Sequence, residues 1–396
     1  MVKLGMFVYP WDMAKAPERL LGEYADLGCN MIAVNGVYHQ CNVLETRTWH
    51  VYERRNAGTS FAIHPEKYGR LRPRAEADLT QTYADLREMC EKKGIEWRCW
   101  MVNLHNDQVG DQWPDTNVYN VWGDRYPSAL CVNHPDVRQY ASALLEDVIA
   151  TIAPRHVVME TESWMQAFHG RHHEFMLPRM TPAVQYLLSM CFFPHCMEQA
   201  QKDGVDAEKA RALVDRLLKQ LLAGDTTFGD NEHTQVIQLL LEYPELYAYQ
   251  RFRMRSVTRL VKQTSETAHA HGIKYDYIPS AAPFPINEMH FEGSCLGELA
   301  PYVDSLVPLC YTPNQTYSMI RKNVDLFAPQ TPVALAQNLS RARYAGRDAF
   351  VGKVLDAAQN GAQDIYSYCY TMATDECLSW VKQAYGLALE KEREKA

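Results

Sequence analysis

The sequence predicts an α/β protein built as a (β/α)8 TIM barrel, and three observations carry that expectation. Eight short β-rich apolar runs each precede an amphipathic helical stretch, the alternation produced by βα units around a parallel sheet. Several of the helical stretches end in glycine just before the next run, at Gly28, Gly94, Gly272 and Gly361, a common way to close the αβ turn. The first strand runs into Tyr9-Pro10-Trp11-Asp12-Met13 where a doubly wound nucleotide fold would carry a glycine-rich phosphate loop, and neither GxGxxG nor GxxxxGK[ST] occurs.

The strand candidates are residues 4–10, 31–37, 95–103, 156–160, 273–279, 305–311, 332–338 and 362–370. Helical patterns follow at 16–27, 76–93, 135–152, 181–192 with further helix to about 270, 293–302, 314–327, 346–359 and 375–394. Excess length falls in three connections, 40–75, 104–133 and 161–255. All three are long βα loops, which in a barrel gather at the C-terminal face where active sites are built. The third is rich in Leu, Ala, Glu, Lys and Gln over 190–250, so a helical insertion after strand four is expected at about 190–255. No repeat, low-complexity tract or Pro/Gly-rich linker separates a second unit, so residues 1–396 are expected to form a single catalytic barrel.

Composition narrows the function. Hydrophobic residues make up 47% and charged residues 22%, enough to bury a sizeable core. Forty Lys and Arg against 48 Asp and Glu leave a net charge of −8, which offers no bulk attraction to nucleic acid or to an anionic membrane. Lys3, Asp12, Lys15, Glu18 and Arg19 interrupt any signal-like apolar stretch, and no run reaches the ~20 apolar residues of a membrane span. A cytoplasmic protein is the expectation. Eleven cysteines, several inside apolar runs (Cys29, Cys99, Cys310, Cys369), read as reduced thiols packed like small hydrophobes rather than a disulfide framework.

Polar residues at the ends of barrel strands point toward the site, so these ends are the candidates. In chain order they are Tyr9, Trp11 and Asp12; Asn35, Tyr38 and His39; Asn103, His105 and Asp107; Glu160, Thr161 and Glu162; Asp276 and Tyr277; Tyr311; Gln337 and Asn338; and Tyr368 and Tyr370. Such a ring of carboxylates, imidazoles, amides and aromatic rings suits a carbohydrate, whose hydroxyls need many hydrogen bonds and whose C–H faces pack on rings. Glycosyl transfer needs a proton donor on the leaving oxygen and a base or nucleophile on the opposite face, and Asp12, Glu160 and Glu162 are the carboxyls in reach of that task.

Three local patterns stand out. His169, His172 and His173 with Glu174 nearby could bind a divalent metal, or serve as hydrogen-bonding imidazoles in a polar loop; HExxH register is absent, and the second reading is favoured. Cys191 and Cys196 flank His195, but the CxxxxC spacing is poor for zinc and no second pair follows, so no metal is expected. His134 precedes Pro135 at a helix start, where Asn133 or His134 caps the helix and the helix dipole lowers the imidazole pKa.

The segments Asn35-Gly-Val-Tyr38-His39, 64–73 (HPEKYGRLRP), 130–138 (LCVNHPDVR), 159–163 (METES), 169–174 (HGRHHE) and 191–196 (CFFPHC) together resemble bacterial barrel glycoside hydrolases, and among them glycoside hydrolase family 156. That resemblance covers strand one to about residue 200 and implies an inverting exo-sialidase on a TIM barrel, acting without a cofactor. It implies Asp12 and His134 as the catalytic pair, and arginines that clamp the sugar carboxylate, with Arg125 as the first candidate and Arg171 or Arg179 as the second. The substrate-binding set expected on these grounds is Tyr38, His39, Asn103, Arg125, Asn133, His169, Arg171, His172, His173, Asn338 and Tyr370. The partner is then a terminal acidic sugar, with a homo-oligomer left open. Three other readings stand beside it: a glycosidase on another sugar using Glu160 or Glu162, a metal-dependent hydrolase or deacetylase using His169, His172 and His173, and a carbohydrate-binding barrel without catalysis.

Overall fold

The computed structural model describes residues 2–46, 50–169, 179–224, 226, 232–280, 286–312, 314–340 and 343–395. Its central sheet contains β1 (Lys3–Val8), β2 (Met31–Tyr38), β3 (Glu96–Val102), β4 (His156–Glu160), β5 (Lys274–Tyr277), β6 (Ser305–Leu306), β7 (Leu335–Asn338) and β8 (Asp364–Tyr368). These strands are parallel to their neighbours in the order β6-β5-β4-β3-β2-β1-β8-β7. Parallel bridges Leu306↔Val333 and Leu309↔Ala336 join the two ends, with Leu306 N donating to Pro332 O at 2.9 Å and Cys310 N to Ala336 O at 2.8 Å. The sheet thus curls into the (β/α)8 barrel that the alternation predicts.

Prolines account for most of the boundary differences. The first strand ends at Val8 rather than residue 10, because Pro10 opens a short helix, Pro10–Lys15, in its favoured first-turn position. Asp12 therefore sits in that helix and not on a strand end. The sixth strand is regular only over Ser305–Leu306, since Pro308 has no N–H to give the ladder. The helix expected at 293–302 is a 3-10 turn, Ile286–Glu292, and a single α turn, Leu296–Leu299, divided by Gly293 at φ 84°. Glycine closes the helix Thr80–Lys93 as the sequence suggests, with Gly94 in the left-handed region at φ 68°.

Inside the barrel the N-terminal end is an ion layer. Arg98 forms a two-pronged pair with Asp364, at 2.9 Å for each bond, contacts Glu96 at 2.6 Å and lies 3.6 Å from Asp276, which also takes His156 Nδ1 at 2.8 Å. Asp276, read from sequence as a strand end, belongs to this layer through Arg98 and His156. Above it lie Phe7, Trp100, Val158 and Tyr366, with Phe7 stacked on Tyr366 at 4.9 Å.

The long connection after β4 is helical, with helices Pro194–Lys202, Ala207–Ala223, Glu232–Glu242 and Pro244–Ala270. The last of these belongs to two cores at once. Leu246, Tyr249 and Phe252 pack with the insertion, whereas Val257, Leu260, Val261 and Ala268 pack on the barrel. Among the described residues no helix is long and apolar enough to cross a membrane.

Candidate active site

The strand ends form an aromatic mouth. Tyr9 stacks on Trp11 at 4.3 Å and meets Tyr38 and Trp100 at 5.2 and 5.7 Å. Tyr9 and Tyr368 share a hydroxyl hydrogen bond of 2.8 Å, and Tyr311 stacks against Tyr368 at 6.0 Å. The rings fill the barrel's upper end because β1, β3 and β8 all turn large side chains inward there, while Trp11, Tyr38, Tyr311, Asn338 and Tyr368 stay partly accessible.

Glu160 projects into this mouth from the end of β4. It is partly accessible, and Trp100 Nε1 donates to its Oε2 at 2.7 Å. Burial raises its pKa from 4.5 to about 7, the Trp100 bond pulls the other way, and the nearby Glu292 charge adds to the rise. A carboxyl with that value is half protonated at neutral pH, the condition a general acid needs. Next to it, Thr161 has a left-handed backbone at φ 64°, an uncommon state for a β-branched residue. Its hydroxyl oxygen receives the N–H groups of Asn103, Leu104 and His105 at 3.0, 3.1 and 3.3 Å, which holds that conformation.

The turn at Thr161 sends Glu162 to a different place. Glu162 is fully buried and takes hydrogen bonds from Asn103 Nδ2 at 2.6 Å, Thr264 Oγ1 at 2.7 Å and the Tyr275 hydroxyl at 2.5 Å. Burial raises its pKa to about 7 against these donors. With every donor committed to it, Glu162 ties β3, β5 and the helix Pro244–Ala270 together. Asn103, also buried, spends its amide N–H on Glu162, while its Oδ1 has no hydrogen-bond partner among the described residues.

Three imidazoles line one side. His39 stacks on His105 at 4.1 Å and 7°, and His105 meets His169 edge-on at 5.0 Å. Burial lowers His39 and His169 to about 4 and pushes His105 well below its ordinary value. All three are neutral at pH 7, so they act as hydrogen-bonding groups and not as cations. Both ring nitrogens of His105 lack hydrogen-bond partners among the described residues. His105 is one of the strand-end candidates, and its sequence signal is its place just past the third strand. His169 further lines a cavity of about 380 Å³ with Tyr126, Phe168 and Arg125. Arg171, His172 and His173 lie outside the described residues.

The other expected residues are engaged in contacts of their own. Asp12 is buried, receives a hydrogen bond from the Thr371 hydroxyl, and neighbours Glu45, Lys15 and Arg55. Burial raises it to about 6, the Thr371 bond opposes, and the Glu45 charge assists. His134 caps the helix Pro135–Ile152, its Nδ1 accepting from Asp136 N at 3.2 Å, with Nε2 4.0 Å from Asp115 and its ring 4.5 Å from His195. Its pKa is lowered, first by burial and then by the His195 charge. Thr371, Glu45, Lys15 and Arg55 beside Asp12 are distinct from Asp136, Asp115 and His195 beside His134. Arg125 donates to Gly110 O at 2.8 Å, Asn117 Oδ1 at 3.0 Å and Asp111 at 3.1 Å, which holds its guanidinium within the third connection. Arg179 pairs with Glu232 of the insertion. The Tyr370 hydroxyl bonds to Glu23 on the helical layer, and Asn338 Oδ1 accepts from Ser340 N at 2.6 Å. Asn133 is buried with its amide 3.5 Å from Cys196 Sγ.

The cation beside the mouth is one that sequence reasoning missed. Arg55 lies over the Trp11 ring, 4.6 Å from its centre, and pairs with Glu45 at 3.5 Å. It comes from the 40–75 connection, where no pattern in the sequence marks it.

Against known proteins the barrel is the shared feature. The chain is similar to the alpha-L-fucosidase isoenzyme 2 of Paenibacillus thiaminolyticus, with TM-score 0.58 and 12% identity over 99% of this chain and 50% of that one. A beta-galactosidase from the psychrophilic Marinomonas ef1 gives TM-score 0.56 and 11% identity over 98% of this chain and 59% of that one. The C-terminal domain of a putative chitinase from Desulfitobacterium hafniense gives 0.50 and 8% over 98% and 99%. This chain therefore spans half to three-fifths of the length of the first two. At such identities the likeness is one of fold. No family model matches the sequence. No curated protein matches it either.

Proposed function

We propose that this chain is a glycoside hydrolase in which Glu160 is the general acid. The observation that carries the reading is a partly accessible carboxyl, with its pKa raised to about 7, at the centre of an aromatic barrel mouth. A sugar face laid on the partly accessible rings of Tyr38, Tyr311 and Tyr368 places a glycosidic oxygen within reach of Glu160, which gives its proton to the leaving oxygen as the C–O bond breaks, while water bonds to the anomeric carbon and its proton returns through solvent to Glu160. The neutral imidazoles of His39, His105 and His169, with Asn103 Oδ1 and Trp11 Nε1, supply hydrogen bonds to the sugar hydroxyls. That the similar folds include a fucosidase and a galactosidase by name agrees with this chemistry.

A second reading keeps the inverting exo-sialidase, with a terminal acidic sugar. Arg55 favours it, since its guanidinium, held over the Trp11 ring beside the mouth, is a planar cation of the kind that meets a sugar carboxylate with two hydrogen bonds. In this reading Asp12, protonated up to about pH 6, joins the machinery, and His134 enters only as the cap of its helix.

A panel of aryl glycosides, with fucoside, galactoside, glucoside, N-acetylglucosaminide and sialoside members, tests both. Release of phenol from any neutral member, lost in Glu160→Gln, supports the first reading. Turnover of the sialoside alone, lost in Asp12→Asn and Arg55→Ala, supports the second, and NMR of the first-formed anomer then reads inversion or retention. Binding of sugars without turnover of any member overturns both in favour of a carbohydrate-binding barrel.

A further inference from the structure

Three thiols from separate segments meet behind the connection that follows β3. Cys131 comes directly after the strand Arg125–Leu130, Cys191 lies between the helices Pro182–Leu188 and Pro194–Lys202, and Cys196 is in the first turn of the second. Their exposures are 0%, 1% and 0%. All three sulfurs lie within 4.8 Å of one another, with Cys131 and Cys196 at 3.2 Å. Among the described residues this is the group of His, Cys, Asp or Glu side chains whose ligand atoms converge closely enough to hold an ion.

The backbone is built around these sulfurs. Cys131 N donates to Thr116 O at 2.8 Å, Phe192 N to Tyr119 O at 2.8 Å, and the buried Tyr249 hydroxyl to Cys191 O at 2.5 Å. Backbone N–H groups also face the sulfurs, that of Asn133 toward Cys131 and those of Tyr119 and Phe193 toward Cys191. Packing alone gives no reason to cluster three weak S–H donors where aliphatic side chains would fill the space without polar atoms.

We propose that Cys131, Cys191 and Cys196 hold a zinc ion, with the fourth position taken by the Asn133 side chain. Zinc–sulfur bonds of about 2.3 Å in a tetrahedron set the sulfurs about 3.8 Å apart, inside the span found here. A disulfide needs about 2.0 Å and would use two of the three sulfurs, leaving the third as a buried thiol without purpose. The Asn133 amide, now 3.5 Å from Cys196 Sγ through Nδ2, offers Oδ1 to the ion when turned over, a change of orientation that leaves its shape the same. Poor CxxxxC spacing hides the site from sequence inspection, because the third thiol lies sixty residues upstream of Cys191. The ion would clamp the third connection to the helical insertion and fix the loop that leads to His134, the cap of the helix Pro135–Ile152. The site takes no part in the proposed sugar chemistry and stands or falls separately from it.

The test is elemental analysis of the intact protein, expressed untagged in zinc-replete medium and dialysed against metal-free buffer. The expected result is one zinc per chain, released by an organomercurial thiol reagent into a chromogenic zinc indicator, and lost in Cys191→Ser and in Cys131→Ser. Protein produced in cobalt-supplemented medium is expected to show thiolate-to-cobalt charge-transfer absorption, a reading that needs no variant to fold. Wild-type protein with no bound metal, with a Cys131–Cys196 disulfide by non-reducing mass spectrometry, or with copper or iron in place of zinc overturns the proposal. So does zinc retained in both serine variants.

Discussion

Glu162 offers the sharpest test of the division between the two carboxyls at the end of β4. Burial raises its pKa from 4.5 to about 7, so the native state holds this proton more tightly than the unfolded chain does. The resulting stabilisation is fully present below the unfolded value near 4.5 and is lost as the pH rises through 7. A rise of that size corresponds to about 3 kcal/mol of native-state stability, an appreciable share of the roughly 5–15 kcal/mol typical of a folded domain. Glu162→Gln removes the titration while its amide oxygen still accepts from Asn103, and the hydroxyls of Thr264 and Tyr275 can turn to accept from the new N–H. The urea midpoint, followed by tryptophan fluorescence at about pH 4.5 and pH 8, should therefore vary less with pH in this variant than in wild type. Glu162→Ala should be far worse, since it orphans three buried donors at about 1–3 kcal/mol each. A Glu162→Gln variant with the full wild-type pH dependence would refute the reasoning.

Arg98→Met leaves Asp364, Asp276 and Glu96 without their shared guanidinium inside the barrel, a loss of about 3–5 kcal/mol that should appear as a large fall in Tm with little secondary structure lost at low temperature. Trp100→Phe removes the donor that steadies the Glu160 carboxylate, so the alkaline limb of the kcat/KM profile should move up by roughly 1–2 pH units; a limb that stays put would detach Glu160 from that titration. Trp11→Ala, at the rim of the mouth, should raise KM for the best glycoside with a smaller change in kcat, and an unchanged KM would remove Trp11 from the sugar site.

The barrel was legible because its signal is periodic and repeated. Eight runs each buried on both faces, followed by helices closed at Gly28, Gly94, Gly272 and Gly361, leave few other architectures. The first and sixth strands shifted at Pro10 and Pro308, where one missing N–H decides whether a strand goes on, and the helix expected at 293–302 is divided at Gly293. The site was legible by class but less so by residue. Tyr38, His39, Asn103 and Glu160 lie at or against the mouth from the strand ends, and His169 of the loop after β4 lies against His105 beside it. Glu160 and Glu162 are two residues apart in sequence, and nothing there tells that a left-handed Thr161 turns one into the mouth and the other into the wall. Arg125 looks like a clamp in sequence and is held by Gly110, Asn117 and Asp111 in the fold, whereas Arg55 reaches the mouth without any local pattern. The thiol cluster likewise depends on contacts between segments sixty residues apart, which spacing rules for a single segment cannot see.

The most direct test of the proposed chemistry is the kcat/KM of Glu160→Gln on two aryl glycosides of the preferred sugar, one with a poor leaving group and one that departs readily without a proton. A positioned acid is worth about 10²- to 10⁴-fold when the leaving oxygen needs protonation, and little when it does not. The account predicts a loss of that order on the first substrate and near wild-type turnover on the second, with unchanged thermal stability. Equal losses on both substrates, or none on either, would contradict Glu160 as the general acid.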